Sequence, residues 1–505
     1  MASVAVIGAG VGGIAVAARL ARHGYQVSVV EKNGRAGGRC DRLIKDGHQF
    51  DTGSTLFLMP ELYAQTFTDL GERLEDHLDL RRVDPTYRLH FKDGSTLALT
   101  SDLQAMQAQL EAIEPGSFGA YLSYLSEGYR HYKLSLTHLV KRNFCSPPEF
   151  FNLKNLLLLF RLKALVKHYH RIGSYFDDPR LKAAFTFQNM YMGLSPYQAP
   201  ATYSFLQYTE LADGVWFPTG GMYRVTEALK GIAERWGVRF LYNTPVHRIN
   251  VDGRRATGVT LADGRQIEAD ILVANADLIY VYRYLLPDDG APERLERRKH
   301  GCSALMFYWG LDKRYPQLGP HNLFLAGDYR QSFDPIFEDL TLPTDPSFYL
   351  HAPVNIDRSL APEGGDTLMV AIPVGHINEA APQEWAAIQS RARRVVLERL
   401  AKIGLTDLEQ HIKFEVAYTP RDWRSRYNLT KGSCHGLGHN LKQMGYLRPH
   451  NRHERYRNLY FVGASTHPGT GLPTVLVSAR LTSQRILHDA GVLRPVSIMT
   501  PAATW

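Results

Sequence analysis

Residues Val4 to Arg39 read VAVIGAGVGGIAVAARLARHGYQVSVVEKNGRAGGR. Four apolar residues, Val4 to Ile7, run straight into Gly8-Ala9-Gly10-Val11-Gly12-Gly13. An alanine-rich stretch with helical spacing follows to His23, and a second β-branched run, Val27 to Val30, ends at Glu31. The spacing predicts strand, tight turn, helix and strand within about thirty residues. Gly8 then supplies the turn with positive φ, Gly10 removes the Cβ that would block a pyrophosphate, and Gly13 lets the helix lie close on the strand. The helix N-terminus offers free N–H groups and partial positive charge to phosphates. Glu31, followed by Lys32, is placed to accept hydrogen bonds from a ribose diol, and its charge disfavours a 2′-phosphate. A dinucleotide is therefore expected. The fingerprint alone does not separate NAD from FAD. A second glycine pair does, because Gly37-Gly38-Arg39 and then Phe50-Asp51-Thr52-Gly53-Ser54 let backbone and guanidinium approach an extended cofactor again further along its length.

Length and composition set bounds. At 505 residues the chain exceeds one ordinary core, and roughly two or three lobes are expected. Its 44% hydrophobic and 21% charged residues are those of a folded protein; a net charge of +8 is a mild excess that fits nucleic acid, acidic lipid head groups or nothing in particular, and the last is the reading taken, with no nucleic-acid partner expected. Cys40, Cys145, Cys302 and Cys434 show no CxxC spacing, so neither a zinc site nor a disulfide framework is indicated and a reducing compartment fits. His435 and His439 lack a third ligand, so no metal is expected there. With a strand under way by Val4, no room is left for a targeting signal. No apolar run approaches the eighteen or so residues that span a bilayer, so membrane attachment would be peripheral.

Along the chain, Tyr87 to Leu99 alternates around Asp93-Gly94 and reads as a hairpin. From Asp102 to about Gln207 the pattern is helical. Within it, Asn152 to Ile172 (NLKNLLLLFRLKALVKHYHRI) sets Leu156 to Phe160 beside Lys154, Arg161, Lys163, Lys167 and Arg171 with no acid. Such a helix can lie in a lipid interface with its basic residues toward anionic head groups, the alternative being a core helix with solvated lysines. Phe185, Phe187, Met190, Tyr191, Met192, Tyr197, Tyr203, Phe205 and Tyr208 then crowd a short span, which suits a core or the wall of a tunnel for a long apolar ligand. Gly214 to Met222 reads as a loop feeding an amphipathic helix through Trp236. Gly237 to Val251, a hairpin around Asp263-Gly264 and a strand from Ile271 to Ala274 form a second α/β segment ending at Asn275. Strand-like runs at Ser303 to Leu311, Phe348 to Ala352 and Thr367 to Pro373, with a helix at Glu384 to Ile403, outline a sheet-containing lobe. Finally Asn458 to Val462 is a strand, Gly463-Ala464 a close-approach turn, and Pro473 opens a helix through Leu487. That helix N-terminus, aimed at a flavin, would stabilise the negative charge that develops on reduction.

Together these stretches resemble the bacterial and fungal phytoene desaturase family of flavoproteins. The matching segments are the opening fingerprint, GVWFPTGGM, ADILVANAD, YLHAPVNIDRSLAPEGG at 349 to 365, and RPHNRHERYRNLYFVGASTHPGTGLP near the end. The HPGxGxP ending is far more specific than the opening fingerprint. The resemblance implies an α/β fold with three parts. These are a Rossmann-like, amine-oxidase-like FAD-binding domain from 1–68, 215–289 and 426–490, a mixed-sheet substrate domain from 69–105 and 290–425, and a helical membrane-docking subdomain at 106–214; a tail occupies 491–505. It carries over FAD contacts to Gly8, Gly10, Gly12, Gly13, Glu31, Lys32, Gly37, Gly38, Arg39, Gly53, Ser54, Val246, Asn275, Gly463, Gly471, Leu472, Pro473 and Thr474, with Gly221 and Met222 near the isoalloxazine.

The implied reaction is desaturation of phytoene or a related carotene. A hydride leaves a CH–CH unit for flavin N5, and a proton is lost from the resulting allylic cation. An acid and an arginine suggested for the family fall here on Phe151 and Lys154; the resemblance points instead to Glu210, which matches a family acid, for the catalytic acid/base role, the alternatives being a buried structural carboxylate or a surface helix end. A hydrocarbon substrate implies extraction from a bilayer by a cytoplasmic protein held peripherally on the inner membrane, with oxygen or a quinone as electron acceptor. The same fold also serves polyene isomerases and saturases. A non-catalytic FAD-containing carotenoid carrier, or a soluble amine oxidase, is the rival from another class.

Overall fold

A computed structural model of the chain describes residues 2–287 and 291–492. The boundary expected at 289/290 and all but two residues of the expected tail at 491–505 lie outside them.

The near-continuous apolar runs become a five-stranded parallel sheet in the order Leu459–Phe461, Ile271–Ala274, Ser3–Ile7, Gln26–Val30, Arg239–Leu241. Parallel strands are covered on both faces, which is why Val4, Ala5, Val6 and Ile7 are all buried rather than alternating. One face packs on the helices Val11–Arg22, Tyr223–Arg235 and Leu472–Asp489. The other meets the antiparallel strands Val246–Asp252, Arg255–Leu261 and Gln266–Glu268. Three distant parts of the chain thus share one sheet.

A second sheet has seven strands in the order Ile412–Tyr418, Ser303–Leu311, Asp366–Val374, Phe348–His351, His321–Phe324, Tyr87–His90, Thr96–Leu99. It is antiparallel except where His321–Phe324 meets Tyr87–His90. Side chains alternate across it. Leu305, Phe307, Trp309, Val370, Ile372 and Phe348 pack against the helix Trp385–Ala401. Ala304, Met306, Met369, Ala371, Tyr349 and Leu323 face the opposite way, toward a cavity.

Two readings of the sequence need correction. Gly214 to Met222 is a loop only in part, because Val215–Pro218 pairs as a strand with Leu80–Val83. Asn152 to Ile172 is two short helices, Leu153–Arg161 and His168–Ile172. The break is held from outside. Lys163 takes a left-handed φ of 50° and bonds buried Glu127, which also accepts from Arg171 Nη2 at 2.7 Å. Thr202 donates to the Leu162 carbonyl at 2.8 Å. Two of the basic residues expected to face lipid therefore turn inward.

Candidate functional site

At the carboxyl ends of the parallel strands lies a cleft of about 170 Å³. Gly8, Gly10, Gly12, Glu31, Lys32, Gly37, Gly38, Arg39, Val246, Asn275, Gly463 and Leu472 all line it. Gly10 is the N-cap of the first helix, and no side chain caps it, so the N–H groups of the first turn remain for a ligand. The glycines are required by their surroundings. Gly8 has φ +100°, and a Cβ on Gly13 would sit 2.2 Å from the Gly8 carbonyl oxygen, so the helix lies on the strand only because both lack side chains. A Cβ on Gly10 would meet Asn275 Oδ1 at 2.6 Å. Asn275 in turn donates to the Val462 carbonyl at 3.0 Å and ties the glycine turn to the C-terminal strand. The second pair, Gly37-Gly38, folds back on the first, Gly37 N–H donating to the Ala9 carbonyl at 2.8 Å.

Glu31 is buried, and its two oxygens accept from Ala9 N–H and Asn33 N–H at 2.8 Å each. Burial raises its pKa against those donors, and the side chain stands on the cleft wall. Lys32 is turned away, its ammonium bonded to the Ser425 carbonyl and Asn428 Oδ1 at 2.7 and 2.8 Å. Arg39 donates to the Cys434 carbonyl at 2.6 Å, and among the described residues no carboxylate lies within ion-pair distance of it.

Arg39, Cys40, Ala464, Leu472 and Val475 also line a second cavity of about 430 Å³, so the two spaces meet there. Gly53, Ser54, Gly471, Pro473 and Thr474 stand on this second wall. Its floor is the face of the seven-stranded sheet that carries Ala304, Met306, Tyr349, Met369 and Ala371, and its sides include Leu58, Phe187, Met190, Tyr191, Met192 and Phe205. The aromatic span thus divides, with Phe185 and Tyr203 going to the core. Among the described residues Arg39, at the junction, is the one Lys, Arg, Asp or Glu on that lining. An amine cation would find no counter-ion.

Polar groups on the wall are paired behind it. Tyr191 donates to Glu210 and bonds Tyr87, both at 2.8 Å. Tyr349 bonds Thr55 Oγ1 at 2.9 Å and His321 Nδ1 at 2.6 Å. Burial holds His321 well below the usual imidazole range and His351 at about 4, so both are neutral. His435, weighed in the sequence only as a metal ligand and set aside for want of a third, faces this cavity, its Nδ1 3.1 Å from the Cys302 carbonyl and 3.3 Å from Cys434 Sγ. His439 accepts from Thr470 N–H at 3.0 Å and serves the loop instead.

Three expectations are corrected. Gly221 and Met222 line neither cavity: Met222 is fully buried behind Cys40, and the two N–H groups of Met222 and Tyr223 are accepted by Asp51 at 2.7 and 3.0 Å. Gly13 packs helix on strand and does not reach the cleft. Glu210 does not touch the cavity, because Tyr191 stands between. The sequence could show a carboxylate in an apolar setting but not which ring would cover it. Desolvation raises Glu210 from its ordinary 4.5 to about 7. A carboxyl raised on folding contributes stability below its unfolded pKa that is lost as pH rises through its folded value. Between pH 4.5 and about 7 the wild type therefore loses up to about 3 kcal/mol from this group. Glu210→Gln is expected to flatten that share in denaturant melts across the window. Asp51, also raised to about 7, keeps its own share.

The model for flavin containing amine oxidoreductases matches residues 11–487. A zeta-carotene-forming phytoene desaturase of Myxococcus xanthus is 46% identical over 506 residues, covering 99% of this chain and 97% of that protein. A phytoene desaturase of Phycomyces blakesleeanus is 44% identical, covering 99% of this chain and 88% of that one. Among solved structures, putrescine oxidase bound to putrescine superposes with a TM-score of 0.62 at 15% identity, over 97% of this chain and 99% of the other, a likeness of fold.

Proposed function

The chain belongs to the flavin containing amine oxidoreductases and, within them, to the phytoene desaturases, and from that premise we propose how its two spaces divide the work. It is an FAD-dependent oxidoreductase of carotenoid biosynthesis that desaturates phytoene or a closely related carotene. The observation that carries this is the junction: an apolar cavity, lined by no carboxylate among the described residues, opens on the dinucleotide cleft beside Arg39.

FAD suits the cleft, since the uncapped helix end and Arg39 answer phosphates and Glu31 answers a ribose. Gly8, Gly10, Gly12, Glu31, Gly37, Gly38, Arg39, Val246, Asn275 and Gly463 would hold its nucleotide part. Gly53, Ser54 and Gly471 to Thr474 would hold the ring end. Lys32 would act only by its backbone. When bound, the flavin supplies the two-electron oxidation. This chain's residues align a long apolar chain, exclude water and receive a proton. Affinity for such a substrate comes from burial, about 0.8 kcal/mol per CH₂. Glu210 would hold the Tyr191 and Tyr87 hydroxyls in place. Membership of the two sheets supports assigning 1–68, 215–289 and 426–490 to the FAD domain and 69–105 with 290–425 to the substrate domain.

A membrane surface would deliver the substrate. No helix of the described residues is long and apolar enough to cross a bilayer. The helix Leu153–Arg161 turns Leu153, Leu156, Leu157 and Phe160 outward at 50 to 71% exposure while Asn155 and Leu158 face in. An apolar stripe at i, i+3, i+4, i+7 that faces away from the core supports docking on a lipid interface and argues against a core helix. Replacing Leu157 and Phe160 by serine removes about 3 kcal/mol of burial and is expected to weaken sedimentation with anionic vesicles roughly 100-fold. Residence on the cytoplasmic side, and oxygen or a quinone as acceptor, complete the reading.

The test is anaerobic mixing of the FAD-loaded protein with phytoene. Bleaching of the flavin with a red-shifting product spectrum is expected. Isomerisation without net redox change would make it an isomerase, and binding with neither change would make it a carrier.

A further inference from the structure

We propose that Tyr349 takes the proton released in desaturation and passes its own hydroxyl proton to His321; the proposal rests on the desaturase reading. Once a hydride has left one carbon of the CH–CH unit for the flavin, the neighbouring C–H must give up its proton while its electron pair becomes the new double bond. A lone pair is needed in a cavity whose lining is mostly apolar; of the imidazoles among the described residues only His435 lines it, and its Nδ1 faces the Cys302 carbonyl at 3.1 Å and Cys434 Sγ at 3.3 Å. Among the described residues no carboxylate faces it, and Glu210 is screened by Tyr191.

Tyr349 occupies the middle of the floor, in register with Ala371 on one side and Leu323 on the other. Its hydroxyl is held by two groups from different parts of the chain, Thr55 Oγ1 at 2.9 Å and His321 Nδ1 at 2.6 Å. Thr55 follows Gly53-Ser54, and Gly53 packs so closely on Arg39 that a Cβ there would lie 2.0 Å from the Arg39 carbonyl oxygen. The hydroxyl is thereby tied to the end of the cavity that meets the dinucleotide cleft.

Behind Tyr349, His321 is 1% exposed and does not line the cavity. Its ring stacks on His351 at 4.7 Å and 8°, and its Nε2 has no partner among the described residues. A buried imidazole spending its single hydrogen bond on a cavity-wall phenol is an expensive arrangement for packing alone. As a relay it balances. The C–H proton goes to the phenol oxygen, the phenol proton goes to Nδ1, and an imidazolium results. A C–H beside a carbocation is acidic enough for a weak acceptor to suffice. Burial keeps that acceptor unprotonated beforehand; once the product has left, the proton returns along the same path, from Nδ1 to the Tyr349 oxygen, and the phenol gives one up to water entering the emptied cavity.

The experiment uses the FAD-loaded protein with phytoene deuterated at either carbon of the reacting unit. Tyr349→Phe keeps the ring and removes the oxygen. It is expected to retain flavin and phytoene binding, lose roughly 100-fold or more in turnover, and shift the isotope effect onto the carbon that loses the proton. His321→Asn, which puts an amide oxygen near the Nδ1 position, should keep more turnover than His321→Ala. Independently of activity, ¹⁵N signals of His321 in flavin-free protein should show Nδ1 as an acceptor that changes in Tyr349→Phe. Turnover of Tyr349→Phe within about threefold of wild type, an unmoved isotope pattern, a protonated Nδ1, or the isotope change appearing in Glu210→Gln instead would overturn the proposal. Wild type failing to bleach its flavin with phytoene would instead sink the desaturase reading.

Discussion

Gly10→Val is expected to give a folded protein that does not bind FAD. The backbone at Gly10 has φ −69° and ψ 166°, which any residue adopts, so the substitution adds bulk without strain. That bulk has nowhere to go. Its Cβ would stand 2.6 Å from Asn275 Oδ1, and displacing that side chain breaks its bond to the Val462 carbonyl. The two methyls would then occupy the space beside the helix N-terminus from which phosphates are bound. Titration with FAD should show binding weakened at least about 100-fold, about 2.7 kcal/mol. The flavin-free variant should melt within a few degrees of flavin-free wild type. Gly8→Val provides the contrast, because φ +100° adds backbone strain, and there stability should fall as well. Equal FAD affinity of Gly10→Val and wild type would show that the cleft is not where the phosphates sit.

How much of this was legible in the sequence depended on how far apart the interacting residues lie. The opening unit could be read because strand, turn, helix and acid are local, and the observed elements Ser3–Ile7, Val11–Arg22 and Gln26–Val30 match it closely. Ser303–Leu311 and Ile271–Ala274 were equally plain as apolar runs. Their neighbours were not. Nothing within Ser303–Leu311 states that Asp366–Val374 and Ile412–Tyr418 flank it, and the cavity floor exists only once that pairing sets Ala304, Met306 and Ala371 on one face. The break at Lys163 was hidden for the same reason, since Glu127 holds it from a preceding helix. Glu210 was visible as a carboxylate but not as one covered by Tyr191. The Tyr349 and His321 contact depends on register between two strands and left no local signal.

A large effect is also expected at Arg448. Its guanidinium is 1% exposed, and among the described residues it has no carboxylate within ion-pair distance. Five backbone carbonyls surround it instead: Thr466 at 3.0 Å from Nε, Gly438 and Gln443 at 3.0 and 3.1 Å from Nη1, and Leu437 and Ala464 on Nη2. Desolvation draws its pKa down to about 9, so it stays charged at neutral pH and the dipoles of those carbonyls are what the charge rests on. It staples the turn that carries Cys434 and His435 to the Ala464–Thr466 wall of the cleft. Arg448→Met matches the length, supplies no donor and strands the carbonyls, a loss of roughly 5 kcal/mol. The thermal midpoint should drop by several degrees and both FAD and carotene binding should fail together. Arg448→Lys keeps the charge but offers three donors from one point, which cannot serve carbonyls arrayed around a planar fork, so it should recover less than half of the loss. If Arg448→Met instead kept the wild-type midpoint while losing FAD, the guanidinium would be serving the cofactor directly, and the staple would have to be sought in Gln443, whose amide bonds the carbonyls of Lys299 and Gly438 at 2.9 and 3.2 Å.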